Sequence, residues 1–302
     1  MIHIFIVNPY AGQKTFADDL RSKLKNIKGL NYFVFNTRYA GYETEIVKDI
    51  LNIFEDEELR FYCCGGSGTF RNMINGFDNI AKAQIAFFPC GLTNDFLKVF
   101  GEDESRFYNV EELIYGDVID IDYIKSNQGI MLNSFSTGLD SKVLASLEEY
   151  RLLSAFGGQI PYMCSVLREA FFANNREYII QLDDKELIGR FSEIFFCNGY
   201  VFGGNMYFDN AADVTDGKGL YCLVPACNGF SFLRHMLYTI QRNIGKLHSA
   251  TNFGYCSRIK IQRRDGKPFH INQDGDIFLG NIWEASIVRK GLHLVVPKGV
   301  KI

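Results

Sequence analysis

Gly65-Gly66-Ser67-Gly68-Thr69 follows an apolar run (residues 61–64) and precedes Phe70, Met73, Ile74 and Phe77, which fall at helical spacing. A strand, a glycine turn and a helix start, in that order, can make an anion site. Glycines let the backbone approach a ligand, and the helix N-terminus offers free N–H groups and a partial positive charge. Phosphate is the chemistry such a loop serves. The same residues also suit a tight strand-to-helix turn with no ligand, and local spacing leaves both readings open. Two more loops interrupt apolar runs in the same way: Asn8-Pro9-Tyr10-Ala11-Gly12, with Lys14 just beyond, and Gly91-Leu92-Thr93-Asn94-Asp95. Lys14 can offer a point charge to a phosphate. Asp95 lies near a helix start, where it can hold Mg²⁺ directly or through water, or act simply as an acid at a helix N-terminus.

The elements that must position these loops follow from the apolar pattern. Residues 2–7, 32–35, 61–64 and 85–88 read as short strands. Between them, Phe16, Leu20, Leu24 and Ile27 mark one helix, and Ile46, Val47, Ile50, Leu51 and Phe54 mark another. The glycine loop opens a third helix, and Phe96, Leu97 and Phe100 form the inner side of a fourth. Strand and helix alternating four times predicts a parallel sheet with helices on both faces, and ligands in such sheets bind at the carboxyl ends of the strands. The three loops are therefore expected at one edge.

The pattern changes after about residue 116. Residues 118–125 and 130–136 read as strands joined by the hairpin signal Ser126-Asn127-Gln128-Gly129. Residues 144–174 look helical, with breaks at Gly157-Gly158 and Pro161. Short strands at 178–182, 190–197, 220–224, 258–262, 270–273 and 292–296, with a helix over 230–247, point to an antiparallel sandwich or barrel. The predicted division is residues 1–119 and 120–302, with the last residues free to pack back on the first domain. Arg258, Lys260, Arg263, Arg264 and Lys267 form a basic run that suits a solvated strand and turn, or else contact with anionic lipid. Phe232, Leu233, Met236, Leu237 and Ile240 read as the core face of their helix, with lipid contact as the other option.

Composition narrows the class. The chain has 302 residues, is 47% hydrophobic and carries a net charge of −3, so it can fill a large core and lacks the charge of a broad nucleic-acid surface. Its 8 cysteines include no CxxC pair or zinc spacing and read as buried free thiols of a reducing cytosol. The start, MIHIFIVNPY, lacks the basic region of a signal peptide, and no apolar run reaches the ~18 residues a bilayer span requires. A cytoplasmic protein, with peripheral membrane contact left open, is the expectation.

With the loops placed, the chain resembles the diacylglycerol kinase catalytic-domain family, which includes bacterial lipid kinases and the sphingosine kinases. Asn8-Pro9-Tyr10-Ala11-Gly12 is similar to the family's NPxSG; Gly65-Gly66-Ser67-Gly68-Thr69 with Asn75-Gly76 is similar to GGDGTxNEVxNG. Pro89-Cys90-Gly91-Leu92-Thr93-Asn94-Asp95-Phe96 is similar to PxGTxNDF. Leu132-Asn133, Gly138-Leu139-Asp140 and Val143 resemble FLN…GFDxxV, and Asn198-Gly199 with Gly203-Gly204-Asn205-Met206 resembles NG…GGGM. Asp216-Gly217 with Leu220, and Gln273-Asp274-Gly275-Asp276, resemble DGxLD and the late xDGE.

The resemblance implies a nucleotide-binding α/β domain, a β-rich lipid domain and a cleft between them. It implies transfer of the γ-phosphoryl of ATP to a lipid hydroxyl with Mg²⁺, diacylglycerol or a related lipid being the acceptor, in lipid metabolism and phospholipid biosynthesis. Carried over, Asp274 and Asp276 are the catalytic candidates. Asn8, Pro9, Tyr10, Ala11, Gly12, Lys14, Thr37, Gly65, Gly66, Ser67, Gly68, Thr69, Phe70, Arg71, Leu92, Thr93 and Asn94 are the nucleotide candidates. Asp95 would serve the catalytic Mg²⁺; Asp216, with the backbone carbonyls of Asp213 and Lys218, would hold a structural metal, and Asp120 would face the lipid head group or Mg²⁺. The partners expected are a lipid at a membrane surface and a second copy of the chain in a homodimer; no nucleic acid is expected. The chain departs from the pattern near the phosphates: Ser67 replaces an aspartate, Arg71 and Asn72 replace the Asn-Glu pair, Leu92 replaces a threonine and Asp276 a glutamate. Those departures motivate an alternative, a weak or silent relative that binds nucleotide or lipid in a regulatory role. A soluble-substrate kinase of the NAD kinase type, which shares a GGDG loop, is a further alternative.

Overall fold

The computed structural model describes residues 1–11, 16–90, 94–138, 175–203, 206–209 and 213–302. The helix expected over residues 144–174 lies outside them. The chain forms two compact units. The first comprises residues 1–123, 214–216 and 288–302; the second comprises residues 124–213 and 217–287.

The first unit alternates β1 (Ile2–Val7), α1 (Phe16–Asn26), β2 (Tyr32–Asn36), α2 (Tyr42–Ile53), β3 (Leu59–Gly65), α3 (Ser67–Ile74) and β4 (Gln84–Pro89). A short helix α4 (Val110–Ile114) then leads into β5 (Asp117–Ser126). The four strands are parallel in the order β4-β3-β1-β2. All seven residues of β3 are buried, as expected of a parallel strand covered on both faces, and its apolar run has no polar alternation for the same reason. Leu20 and Leu24 of α1, with Ile46, Val47 and Ile50 of α2, turn inward at the predicted spacing.

One helical expectation changes form. Residues 95–108 are a 3-10 helical run rather than an α-helix, kinked where Gly101 takes φ 56°. Phe96, Leu97, Phe100 and Phe107 still face the core.

The second unit is antiparallel and β-rich. Its strands are the end of β5, β6 (Gly129–Met131), β7 (Ser134–Gly138), β8 (Arg176–Leu182), β9 (Lys185–Cys197), β10 (Val201–Phe202), β11 (Met206–Tyr207), β12 (Gly219–Pro225), β13 (Asn252–Cys256), β14 (Arg258–Arg263), β15 (Phe269–Gln273), β16 (Asp276–Gly280) and β17 (Ile282–Val296). The expected hairpin closes with Ser126 opposite Gly129, which takes φ 109°. The long strand β9 pairs with β8 through residues 185–191 and with β7 and β12 through its second half. β17 pairs antiparallel with β14 over residues 282–286; its end, residues 293–295, belongs to the first unit and lies parallel to β4.

The main core of this unit gathers Phe135, Phe196, Tyr178, Ile261 and Ile271 around Trp283. Trp283 stacks on Phe135 with ring centroids 3.6 Å apart, and its indole N–H donates to Gln273 Oε1 at 3.2 Å. Burial with the polar edge satisfied is the arrangement in which a core tryptophan contributes most. Trp283→Ala is expected to cost about 3–5 kcal/mol, the range for emptying a buried aromatic site; a urea unfolding midpoint close to wild type would contradict it.

Two sequence expectations are corrected here. The helix expected over residues 230–247 is two helices, α5 (Gly229–Ile240) and α6 (Ile244–Ala250). Arg242 takes φ 53° between them, and Asn243 accepts a hydrogen bond from Lys246 N–H to start α6. The core face of α5 is also rotated from the one expected. Phe232, His235 and Thr239 are buried, whereas Leu237 and Ile240 are 51% and 50% exposed. Spacing gave the helix its period; which side meets solvent depends on what packs against it.

Candidate active site

In the first unit the parallel register sets Val7 beside both Asn36 and Cys64, and Gly65 beside Pro89. The carboxyl ends of β1, β2, β3 and β4 therefore lie along one edge, where the loops after β1, β3 and β4 begin. The turn after β1 is built by Asn8. Its Oδ1 accepts from Tyr10 N–H at 3.0 Å, its carbonyl from Ala11 N–H, and its Nδ2 donates to Thr69 Oγ1 at 3.0 Å. An asparagine that closes its own turn and reaches across to the next loop explains that residue type at this position. Pro9 and Tyr10 form the outer turn, with Tyr10 84% exposed.

Gly65 is required by a close approach rather than by an unusual φ. A Cβ built there would lie 2.6 Å from the Cβ, Cγ2 and Oγ1 of Thr69. Gly66 is extended (φ −96°, ψ −175°) as the N-cap of α3, and Ser67 is the first residue of that helix. A Cβ at Gly68 would meet nothing within 4 Å, so the first turn of α3 presents open space where a ligand could come near the backbone. Gly65→Ala is expected to push Thr69 aside, break its bond to Asn8 and destabilise the fold by roughly 1.5 kcal/mol, the upper end for one hydrogen bond. A urea unfolding titration beside Gly68→Ala, which has room for its methyl group, checks it.

Thr37, directly after β2, is 5% exposed and donates its N–H to the Val7 carbonyl at 2.9 Å. Arg71 Nη2 donates to Asn72 Oδ1 at 3.2 Å, and Asn72 Nδ2 reaches Glu43 Oε2 at 3.4 Å. Glu43, 2% exposed, also accepts from Gly41 N–H at 3.0 Å. This buried acid near the start of α2, joined to the helix of the glycine loop through Asn72, is a residue that sequence reasoning missed. Its one signal is its place in the first turn of a helix that begins at the sheet's carboxyl edge. Phe70 is a core residue, 2% exposed and 4.9 Å from the Phe87 ring, so it supports the loop from beneath.

Burial pushes the Cys63 and Cys64 thiols well up and that of Cys90 up to about 12, so these sulfurs stay neutral beside the glycine loop. All the described cysteines are free. Asn94 is buried and its Nδ2 donates to Tyr108 Oη at 3.2 Å; Asp95 opens the 3-10 run and lies 3.8 Å from Lys98 Nζ. Gly12, Lys14, Leu92 and Thr93 lie outside the described residues, as do Leu139, Asp140, Val143, Gly204 and Asn205.

Asp120 is exposed and paired with His293, Nδ1 to Oδ1 at 2.6 Å. The neighbouring Asp122, two residues on in the same strand and unnoticed in the sequence, is fully buried and accepts Lys290 N–H at 2.7 Å. Asp216 belongs to the first unit and Asp213 and Lys218 to the second; all three are exposed. Among the described residues, no three His, Cys, Asp or Glu side chains cluster as a metal site.

In the second unit, Asp274 and Gly275 form the two-residue turn between β15 and β16, with φ 49° and 94° and Gln273 opposite Asp276. Two positive φ angles in a two-residue hairpin call for the Asp-Gly dipeptide found there. The turn also does something the sequence did not reveal. It gathers three backbone N–H groups on the Asp274 carboxylate: Leu132 N at 2.7 Å, Ser134 N at 2.8 Å and Asn133 N at 3.1 Å. Asn133 in turn donates to the Val201 carbonyl, and Asn198 to that of Leu132, which accounts for two of the asparagines in the late motifs. Asp276 stands exposed at the start of β16.

Residues 3–126 match the family model described as the diacylglycerol kinase catalytic domain. Over that stretch the chain is similar to that family. The match takes in the turn at Asn8, the glycine loop and Asp95, and similar proteins extend over the remainder. A Staphylococcus haemolyticus protein named "Putative lipid kinase SH2167" is 28% identical over 80% of this chain and 75% of its own length. A Shewanella frigidimarina protein named "Probable lipid kinase YegS-like" is 24% identical over 95% of this chain and 92% of its own. Among solved structures, a "putative diacylglycerol kinase" from Bacillus anthracis superposes with a TM-score of 0.75 at 20% identity, covering 99% of this chain and 96% of that one. At that identity the likeness establishes the fold: a mixed sheet, parallel toward the N-terminus, with an antiparallel β-rich region after it.

Proposed function

We propose that the chain is an ATP- and Mg²⁺-dependent lipid kinase that moves a γ-phosphoryl group to a lipid hydroxyl, with diacylglycerol or a related lipid as acceptor. The observation that carries this reading is the glycine loop: Gly65 to Thr69 opens α3 at the carboxyl edge of the parallel sheet and is locked to the neighbouring loop by Asn8. The N-terminus of α3, with Lys14 and Arg71, suits the phosphates. Thr37 and Asn94 would complete the nucleotide contacts.

Asp95 supplies the hard oxygen donor that suits Mg²⁺, an ion that keeps several waters and phosphate oxygens of its own. When bound, Mg²⁺ supplies neutralisation of charge on the β- and γ-phosphate oxygens. Asp274 is assigned to take the acceptor's hydroxyl proton. Its three N–H partners fix its orientation, which supports a base that must meet its proton within hydrogen-bond reach. Asp276 and Asp120 are assigned to the acceptor side. A cytoplasmic enzyme meeting lipid at a membrane surface fits this reading, and no described helix is long and apolar enough to cross a membrane.

The test is phosphorylation of a lipid panel with labelled Mg-ATP, with NAD as a soluble competitor and an active family kinase as control. Labelled lipid from the wild type supports the reading. No transfer to any lipid, while the control works, would end it, and label on NAD would move the chain to the NAD kinase type. One observation favours a second reading, a silent relative in a regulatory role. Against the pattern GGDGTxNE, Ser67, Arg71 and Asn72 each make the loop more positive by one charge. Nucleotide binding without turnover would select it.

A further inference from the structure

The outer face of α5 is apolar and open. Phe230, Leu237 and Ile240 are 81%, 51% and 50% exposed and, with the partly buried Leu233, fall at i, i+3, i+7 and i+10. One stripe of the helix therefore points to solvent while Phe232, His235 and Thr239 anchor the opposite side. Asn228 caps the helix by accepting from Ser231 N–H at 2.9 Å, so the stripe is presented on an ordered element. Its surroundings are basic. Arg234, Arg242 and Lys246 are exposed; Arg242 sits 3.8 Å over the Tyr207 ring and Lys246 5.8 Å from the Tyr238 ring centroid. Among the described residues none of the three pairs with a carboxylate. Residues 217–264 contain no Asp or Glu at all, in a chain that has 35 of them and is net negative.

The other basic stretch behaves differently. On β14 and the turn after it, Arg258 pairs with Asp184 at 3.4 Å, Lys260 with Glu284 at 3.6 Å, Arg264 with Glu177 at 2.9 Å, and Arg263 with Asp265. That stretch is locally neutralised, whereas the charge around α5 is not.

We infer that the α5 face docks on an anionic lipid surface, with Phe230, Leu237 and Ile240 entering the acyl boundary and Arg234, Arg242 and Lys246 meeting the head groups. An apolar stripe flanked by cations is the pattern of a helix that lies in the interface plane. Each cation near an anionic surface strengthens binding about fivefold, and the attraction is screened by salt. The occupant is a lipid surface rather than a second copy of the chain, because two such faces would bring like charges together. This rests on the lipid-acceptor reading for its purpose, but it is tested without turnover.

The full chain is sedimented with vesicles of phosphatidylcholine, with and without phosphatidylglycerol, at low and high salt. The wild type is expected to bind the anionic vesicles and release at high salt. The double variant Phe230→Ser/Ile240→Ser is expected to bind about a hundredfold more weakly, roughly tenfold for each lost apolar anchor. A control double variant at exposed apolar positions elsewhere, Ile188→Ser/Leu279→Ser (53% and 61% exposed), is expected to bind as wild type. All four positions are exposed, so unchanged melting temperatures verify folding. Equal binding by the α5 variant and wild type, or no binding by wild type, overturns the proposal. So does a wild-type dimer by light scattering that the α5 variant dissociates, which would assign the face to a second copy. Vesicle binding without lipid phosphorylation leaves this surface standing and removes the kinase reading. Phosphorylation of a dispersed short-chain lipid by an α5 variant that still binds vesicles does the reverse.

Discussion

Asp274→Asn is expected to lower phosphoryl transfer by about 10²–10⁴-fold, the usual contribution of a positioned base. The same substitution should also loosen the fold, because the carboxylate accepts N–H bonds from Leu132, Asn133 and Ser134. Hydrogen bonds to a charged partner contribute about 1.5–3 kcal/mol, and an amide at the same position offers one acceptor oxygen and a donor that faces the N–H groups. The two effects separate by measurement. Activity is compared with the fraction folded from a urea titration at the same temperature. A rate loss far beyond the loss of folded protein marks a chemical role; a loss that tracks the folded fraction makes Asp274 an anchor for residues 132–134. Asp276→Asn serves as the companion, since Asp276 is exposed and should change stability by less than about 0.5 kcal/mol.

Ser67→Asp is expected to raise turnover about 10–100-fold at limiting Mg²⁺, the range for restoring an outer partner of a bound metal. Ser67 is the first residue of α3, so the new carboxylate also sits where the helix dipole favours it, a gain of about 0.3–1 kcal/mol. Melting temperature should therefore rise slightly with activity. Equal turnover at every Mg²⁺ concentration would show that the loop works without that acid and would remove the motive for the silent-relative reading. Activity in the variant from an inactive wild type would establish that reading instead. Arg71→Asn, which takes away one of the loop's added charges, should act in the same direction on metal dependence and against it on phosphate affinity.

Much of the first unit was legible because β1, β3 and β4 are buried along nearly all of their length. Runs such as residues 2–7 and 61–64 have no competing pattern, and the breaks after them mark the carboxyl edge. The Asp274-Gly275 turn was legible because few residues tolerate two positive φ angles in succession. The rest depended on contacts made at long range. The rotated face of α5 could not be read from Phe232, Leu233, Met236, Leu237 and Ile240, because apolar residues surround most of that helix and only the packed neighbours choose among them. The kink at Gly101 left the apolar spacing of residues 96–107 intact, so the change from α to 3-10 was silent. Glu43 and Asp122 are buried charges, which composition statistics place at the surface. The ring of N–H groups on Asp274 joins residues some 140 positions apart in the sequence, and no local pattern reports it.

Trp283 gives the molecule an optical reporter of its own. It is the single tryptophan of the chain, it has no solvent exposure, and its indole N–H is bonded to Gln273, the residue next to Asp274. Native emission should therefore be blue-shifted and shielded from acrylamide. A shift in that emission would register a change in the environment of Gln273 without any label being attached. Acceptor lipid could thus be followed by fluorescence in real time, at the very turn to which proton removal is assigned, and independently of whether phosphate moves.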